Sequence, residues 1–90
     1  MNKAKEMFGK LGYELISYGD EELVNYRKYQ QKNIFEQVVF NNKNKNFWCG
    51  VTIVKDFDTL IEKHTNPITI NVSLFQAINK QIEELGWNNE

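Results

Sequence analysis

Two stretches of this chain end in the same stop. Leu11-Gly12-Tyr13 and Leu85-Gly86-Trp87 each close an amphipathic run. Glycine just past the last periodic residue takes the left-handed backbone that ends a helix, and the next residue packs back on the final turn. Between the two stops the apolar period falls from about 3.6 to two. A chain that is helical at both ends and extended in the middle has two helical stripes to bury against a sheet. The two-layer α+β arrangement does that. Its 90 residues make one domain, residues 1–90.

The first helix is expected over about residues 3–11. Ala4, Met7, Phe8 and Leu11 share one face, and Tyr13 falls where it can fold back on Phe8. Gly9 inside this helix costs about 1 kcal/mol relative to alanine. It is either a point of close approach to the sheet or simply tolerated. Alternation begins at Tyr13. Four strands are expected, at about residues 13–18, 23–29, 34–40 and 47–54. Gly19-Asp20-Glu21, residues 30–33 and the Asn/Lys stretch 41–46 are the turns between them. In the fourth strand Phe47, Cys49, Val51 and Ile53 form an apolar face. Trp48, Gly50, Thr52 and Val54 form a second, partly apolar one. Such a strand is central, or something such as a partner subunit covers its second face.

Residues 55–66 fit two readings. Thr59-x-x-Glu62 suits the capping box of a short helix, and the alternation at Leu60–Lys63 suits a strand. Pro67 ends either, and Ile68-Thr69-Ile70 is extended. The last helix carries Val72, Phe75, Ile78, Ile82 and Leu85 as its stripe, with Asn71 or Ser73 as N-cap. The expected order is helix, four antiparallel strands, an undecided segment and helix.

Charge and cysteine count narrow the function classes. Eleven basic residues oppose twelve acidic ones, a net charge of −1, so no global field draws the chain to nucleic acid or anionic lipid. One cysteine excludes a disulfide framework and a multi-cysteine metal site. No apolar run backs the N-terminal lysines as in a secretory signal, and none is long enough to span a membrane. These features lead us to expect a cytoplasmic protein. Twelve asparagines, eight isoleucines and a ten-to-one excess of lysine over arginine point to AT-rich coding.

No catalytic or cofactor motif stands out. Cys49 and His64 are the one conventional nucleophile–base pair, but Cys49 falls mid-strand on an apolar face, where a thiol packs rather than reacts. Asp56, Asp58 and Glu62 form an acidic group without a calcium-type glycine loop, and read as turn and capping carboxylates. The expectation is no catalytic residue, no cofactor and no metal.

Two surfaces merit attention. Tyr26, Arg27, Lys28 and Tyr29, extended by Lys43 and Lys45, mix rings and cations as single-strand binders do. Alternation splits the first four between two faces, which weakens that reading. Trp48, Leu74 and Trp87 are candidate interface residues, since Leu74 lies off the helical stripe and the tryptophans lie at or beyond element faces.

The residues Ala4-Lys5-Glu6-Met7-Phe8-Gly9-Lys10-Leu11-Gly12-Tyr13-Glu14 open the chain. Ile68-Thr69-Ile70 and Ala77-Ile78-Asn79-Lys80-Gln81-Ile82-Glu83-Glu84-Leu85-Gly86-Trp87 close it. Together they resemble a group of small proteins encoded by phages and prophages of low-GC Gram-positive bacteria. The likeness is close over about a third of the chain and loose over the rest. The group carries an acidic pair before the apolar residue that opens the last helix, where this chain has Ser73-Leu74. The resemblance implies a prophage origin and brings no activity and no site residue with it. The expected function is a non-enzymatic accessory protein acting through protein–protein contact, as a monomer or homodimer. The alternative is a weak nucleic-acid-binding accessory.

Overall fold

The computed structural model describes residues 3–16, 22–54 and 63–87. Helix α1 (Lys3–Lys10) leads into strands β1 (Glu14–Leu15), β2 (Leu23–Gln31), β3 (Ile34–Asn41), β4 (Asn46–Val54) and β5 (Lys63–Asn66), and helix α2 (Val72–Leu85) closes the order. The strands form one antiparallel sheet in sequence order, β1-β2-β3-β4-β5. The α+β class and the flanking helices are therefore as expected. The undecided segment contributes a strand over Lys63–Asn66, paired with β4. The 19–21 turn, the 59–62 capping box and the acidic group of Asp56, Asp58 and Glu62 lie outside the described residues.

Both helix stops form as their residues dictate. Gly12 has φ +93°, Tyr13 N–H donates to Phe8 O at 3.0 Å and Gly12 N–H to Gly9 O at 3.0 Å. That pair of bonds is the Schellman closure, and Tyr13 packs edge-on against Phe8 at 5.7 Å. Gly86 has φ +79° and donates to Glu83 O. Gly9 is the tolerated case: a Cβ there would meet nothing within 4 Å.

Both helices cover one face of the sheet. Phe8 of α1 stacks on Tyr26 of β2 with centroids 4.0 Å apart, and meets Phe40 of β3 edge-on. Tyr13, Val38, Leu74, Ala77 and Ile78 complete this core, with Cys49 packed at its margin. The two helices are also tied directly, because Glu84 Oε2 accepts from Ala4 N–H at 3.0 Å. This bond gives one of the unpaired donors of the α1 N-terminus an anionic partner.

β3 is the middle strand of the five, and β4 is also interior, paired with β3 and β5. Val38 and Phe40 are buried on the helix-facing side of β3, and Phe35, Gln37 and Val39 are buried on the other. The fourth strand lies one place from the edge, and its expected apolar face is only partly covered: Phe47 is exposed and Cys49, Val51 and Ile53 are half-buried. Gln37 and Thr52 lie on the side away from the helices. Gln37 Nε2 donates to Thr52 Oγ1 at 2.7 Å, which satisfies two buried polar groups together.

The turn at 42–45 also differs in detail. The left-handed residue is Lys45, φ +56°, and not an asparagine. Asparagine acts there through its side chain, Asn41 Oδ1 accepting from Lys43 N–H and Asn44 N–H.

Candidate interaction surface

The start of α2 sets the surface. Asn71 is the N-cap, its Oδ1 accepting from Leu74 N–H at 2.8 Å. This fixes Val72 as the first helical residue. The helix then buries Leu74, Ala77, Ile78 and Gln81, with Ile82 and Leu85 half-buried beside them. Those positions follow i, i+3, i+4, i+7, i+8 and i+11, a wider stripe than the expected one. Leu74 is thus core, 5% exposed, and is corrected as an interface residue. A count of large apolar residues alone misplaced the stripe, because Ala77 and Gln81 also belong to the buried face. Gln81 is buried because its amide oxygen accepts from Tyr26 Oη at 2.6 Å.

The rotation leaves Val72 and Phe75 outside, 71% and 59% exposed, with Ile70 at 41%. Ile70 and Phe75 occupy the positions on either side of the cap that form a hydrophobic staple. Even in that role, most of the Phe75 surface faces solvent. Asn71, one of the two N-caps the sequence offers, marks where this surface begins.

Next to these residues a cleft of about 100 Å³ opens between the start of α2 and the β2–β3 pair. Tyr13, Lys28, Glu36, Thr69, Asn71 and Leu74 line it. Lys28 and Glu36 are directly opposed in the β2–β3 register. Glu36 accepts from Tyr13 Oη at 3.2 Å and from Gln30 Nε2 at 3.0 Å. Burial, then the charge of Glu36, pushes the Tyr13 hydroxyl well above the usual tyrosine range, so it stays a donor. The Lys28 ammonium lies 5.8 Å from the Tyr13 ring centroid, a cation–π placement.

The structure separates the candidate nucleic-acid residues. Tyr26 is 2% exposed and stacked in the core, so it offers no face to a base. Lys28 is on the helix side of the sheet. Arg27 and Tyr29 are on the opposite side, where the guanidinium lies 4.5 Å over Phe35 and donates to Tyr29 Oη. Lys43 and Lys45 are exposed at the β3–β4 turn, beyond the Leu23–Asn41 end of the ladder, whereas Tyr29 pairs with Phe35 near its other end. At about 3.3 Å per residue the two groups stand roughly 20 Å apart. They do not form one patch.

Cys49 and His64 are also apart. His64 pairs with Ile53, four residues along β4 from Cys49, or about 13 Å. Burial pushes the Cys49 thiol up from its ordinary value, the direction of an unreactive thiol. Trp48 is exposed at 45%. Trp87 is half-buried: its ring meets Phe40, and Nε1–H donates to Asn42 Oδ1 at 2.6 Å. Among the described residues no group of three His, Cys, Asp or Glu side chains could hold a metal ion. No helix among them is long and apolar enough to cross a membrane.

The chain matches no protein-family model, no curated protein and no solved structure.

Proposed function

We propose that the chain is a non-enzymatic, prophage-encoded accessory protein that works in the cytoplasm by binding another protein. The observation that supports this most is the exposed apolar set Ile70, Val72 and Phe75 at the start of α2. Contiguous apolar side chains left outside a small domain mark contact surfaces. An exposed i, i+3 pair on a helix is the kind of anchor that docks in an apolar groove. The prophage element of the reading rests on the resemblance of residues 4–14 and 77–87.

A tagged copy tested in a low-GC Gram-positive lysate, with nuclease present, examines this reading. The expected result is a retained protein that is lost with Val72→Ser/Phe75→Ser. Retention that ignores the double substitution, or bound material that disappears with nuclease, counts against it. Light scattering of the purified chain shows whether the bound protein is a second copy.

A further inference from the structure

Resting on the interaction reading, we infer that the apolar set at the start of α2 docks on a second copy of this chain, each copy setting its α2 against an uncovered strip of the other's sheet.

The two helices lie over only part of the sheet. Phe8 of α1 stacks on Tyr26 of β2, Gln81 of α2 bonds to the same tyrosine, and Leu74 sits beside Lys28 and Glu36 of β2 and β3. Glu84 marks the flank of α2 that faces α1, through its bond to Ala4 N–H. At about 100° per residue, Phe75 and Ile82 fall on the opposite flank, toward β4. On that side of β4, Phe47 is 38% exposed and Cys49 and Val51 are half-buried. Asn66 is registered with Val51, Val51 with Glu36, and Thr69 lines the cleft with Glu36. The 67–70 segment therefore crosses β4 and β3 and closes one end of the strip. From β3 to the edge strand β5 is two strand spacings, roughly 10 Å, which is the width of one helix.

Charge selects the occupant. Residues 66–79 and β4 (Asn46–Val54) contain no charged side chain, in a chain that is 26% charged. A partner with charged contact residues would bury them unpaired against this surface. The exposed ridge of α2 itself, Val72, Phe75 and Asn79 at i, i+3 and i+7, is as free of charge as the strip. Charges resume at Lys80 and Glu83, which pair with each other at 3.3 Å. Ridge and strip also lie side by side on one surface. A two-fold axis between them lets each copy offer its ridge and receive the other's, the self-complementary form of a closed dimer. The net charge of −1 leaves little repulsion between copies.

The exposed area matches that partner. The chain exposes 6364 Å², whereas a folded monomer of 10.7 kDa exposes roughly 5,500 Å². The excess is close to the roughly 800 Å² that each subunit contributes to a stable interface.

Sedimentation equilibrium of the purified chain, with NMR on a mixture of isotope-labelled and unlabelled copies, tests this. The expected mass is twice 10.7 kDa. The expected contacts between copies join Val72 or Phe75 of one to Phe47 or Val51 of the other. Val72→Ser/Phe75→Ser should raise the dissociation constant about a hundredfold. Asn79→Glu, at an exposed position that takes glutamate without strain, should weaken the dimer by placing a charge on the ridge. Circular dichroism confirms that both variants are folded. A monomer at NMR concentrations, contacts between copies through Trp48, or a dimer indifferent to both variants would overturn the inference. The two readings fail separately. A monomer that still retains a lysate protein through Val72 and Phe75 removes the second copy and leaves the interaction reading intact. A dimer formed through these residues that retains nothing from the lysate keeps the second copy and removes the separate partner.

Discussion

Tyr26 and Gln81 join the sheet to the last helix through one buried hydrogen bond, the phenol donating to the amide oxygen at 2.6 Å. Tyr26 is 2% exposed and Gln81 is 7% exposed. The bond explains two features at once. It satisfies a tyrosine hydroxyl inside an aromatic stack, and it lets a glutamine occupy the buried stripe of α2.

The first prediction follows from the cost of leaving either partner alone. Tyr26→Phe should destabilise the fold by about 1–3 kcal/mol, because the buried amide loses its donor. Gln81→Met should cost a similar amount by stranding the hydroxyl. The double variant should cost clearly less than the sum, since both polar groups leave together. Urea unfolding of the four proteins measures this. Strict additivity would show that the bond contributes nothing beyond packing.

The same tyrosine sets a pH limit. Burial, then the charge of Glu84, pushes the Tyr26 hydroxyl up to about 12 from an ordinary value near 10. A raised folded-state value means that this stability is complete below pH 10. It is lost as pH climbs from about 10 toward 12, where the unfolded chain ionises more readily. Melting temperature should therefore fall over that window, and Tyr26→Phe should flatten part of the slope. Tyr13 is shifted in the same direction and should add to the fall. An unchanged slope in Tyr26→Phe would mean that the hydroxyl ionises freely in the folded protein.

Much of this fold was legible in local chemistry. Gly12 and Gly86 marked both helix ends, since few other residues take that backbone without strain, and Tyr13 found Phe8 as its position required. The phase of α2 was not legible from large apolar residues, because a hydrogen bond to Tyr26, 55 positions away, decides whether Gln81 counts as core. Strand centrality was similarly hidden. Gln37 looks like a surface residue until Thr52 supplies its partner across the neighbouring strand. Glu36 reads as an open surface charge on β3 until Tyr13 and Gln30, both outside that strand, donate to its oxygens.

Three glycines should respond differently to alanine. Gly9 lies in mid-helix with open space where a Cβ would go, so Gly9→Ala should stabilise the protein by about 0.5–1 kcal/mol. Gly12 and Gly86 hold left-handed backbone, and alanine at either should cost about 1–2 kcal/mol. Gly12→Ala should also push the Lys28 stem aside, whereas Gly86→Ala meets no neighbour. Thermal melts give the signs. An NMR shift of the Lys28 side chain in Gly12→Ala, but not in Gly86→Ala, checks the contact.

The two tryptophans report which side of the sheet makes contact. Trp48 is 45% exposed, while Trp87 is half-buried and bonded through Nε1–H to Asn42. Iodide should quench Trp48 strongly and Trp87 weakly, so Trp48→Phe should leave a blue-shifted, protected emission. Trp87→Phe should leave a red-shifted, accessible one and cost about 1 kcal/mol for the lost bond. Trp48 alternates with Phe47 and Cys49 along β4, and both of these lie on the helix-facing side of the sheet. Trp48 is therefore on the side away from Val72 and Phe75. If binding runs through the start of α2, quenching of Trp48 should not change as protein concentration rises. Protection of Trp48 that grows with concentration would instead place a second copy of the chain on the opposite face of the sheet.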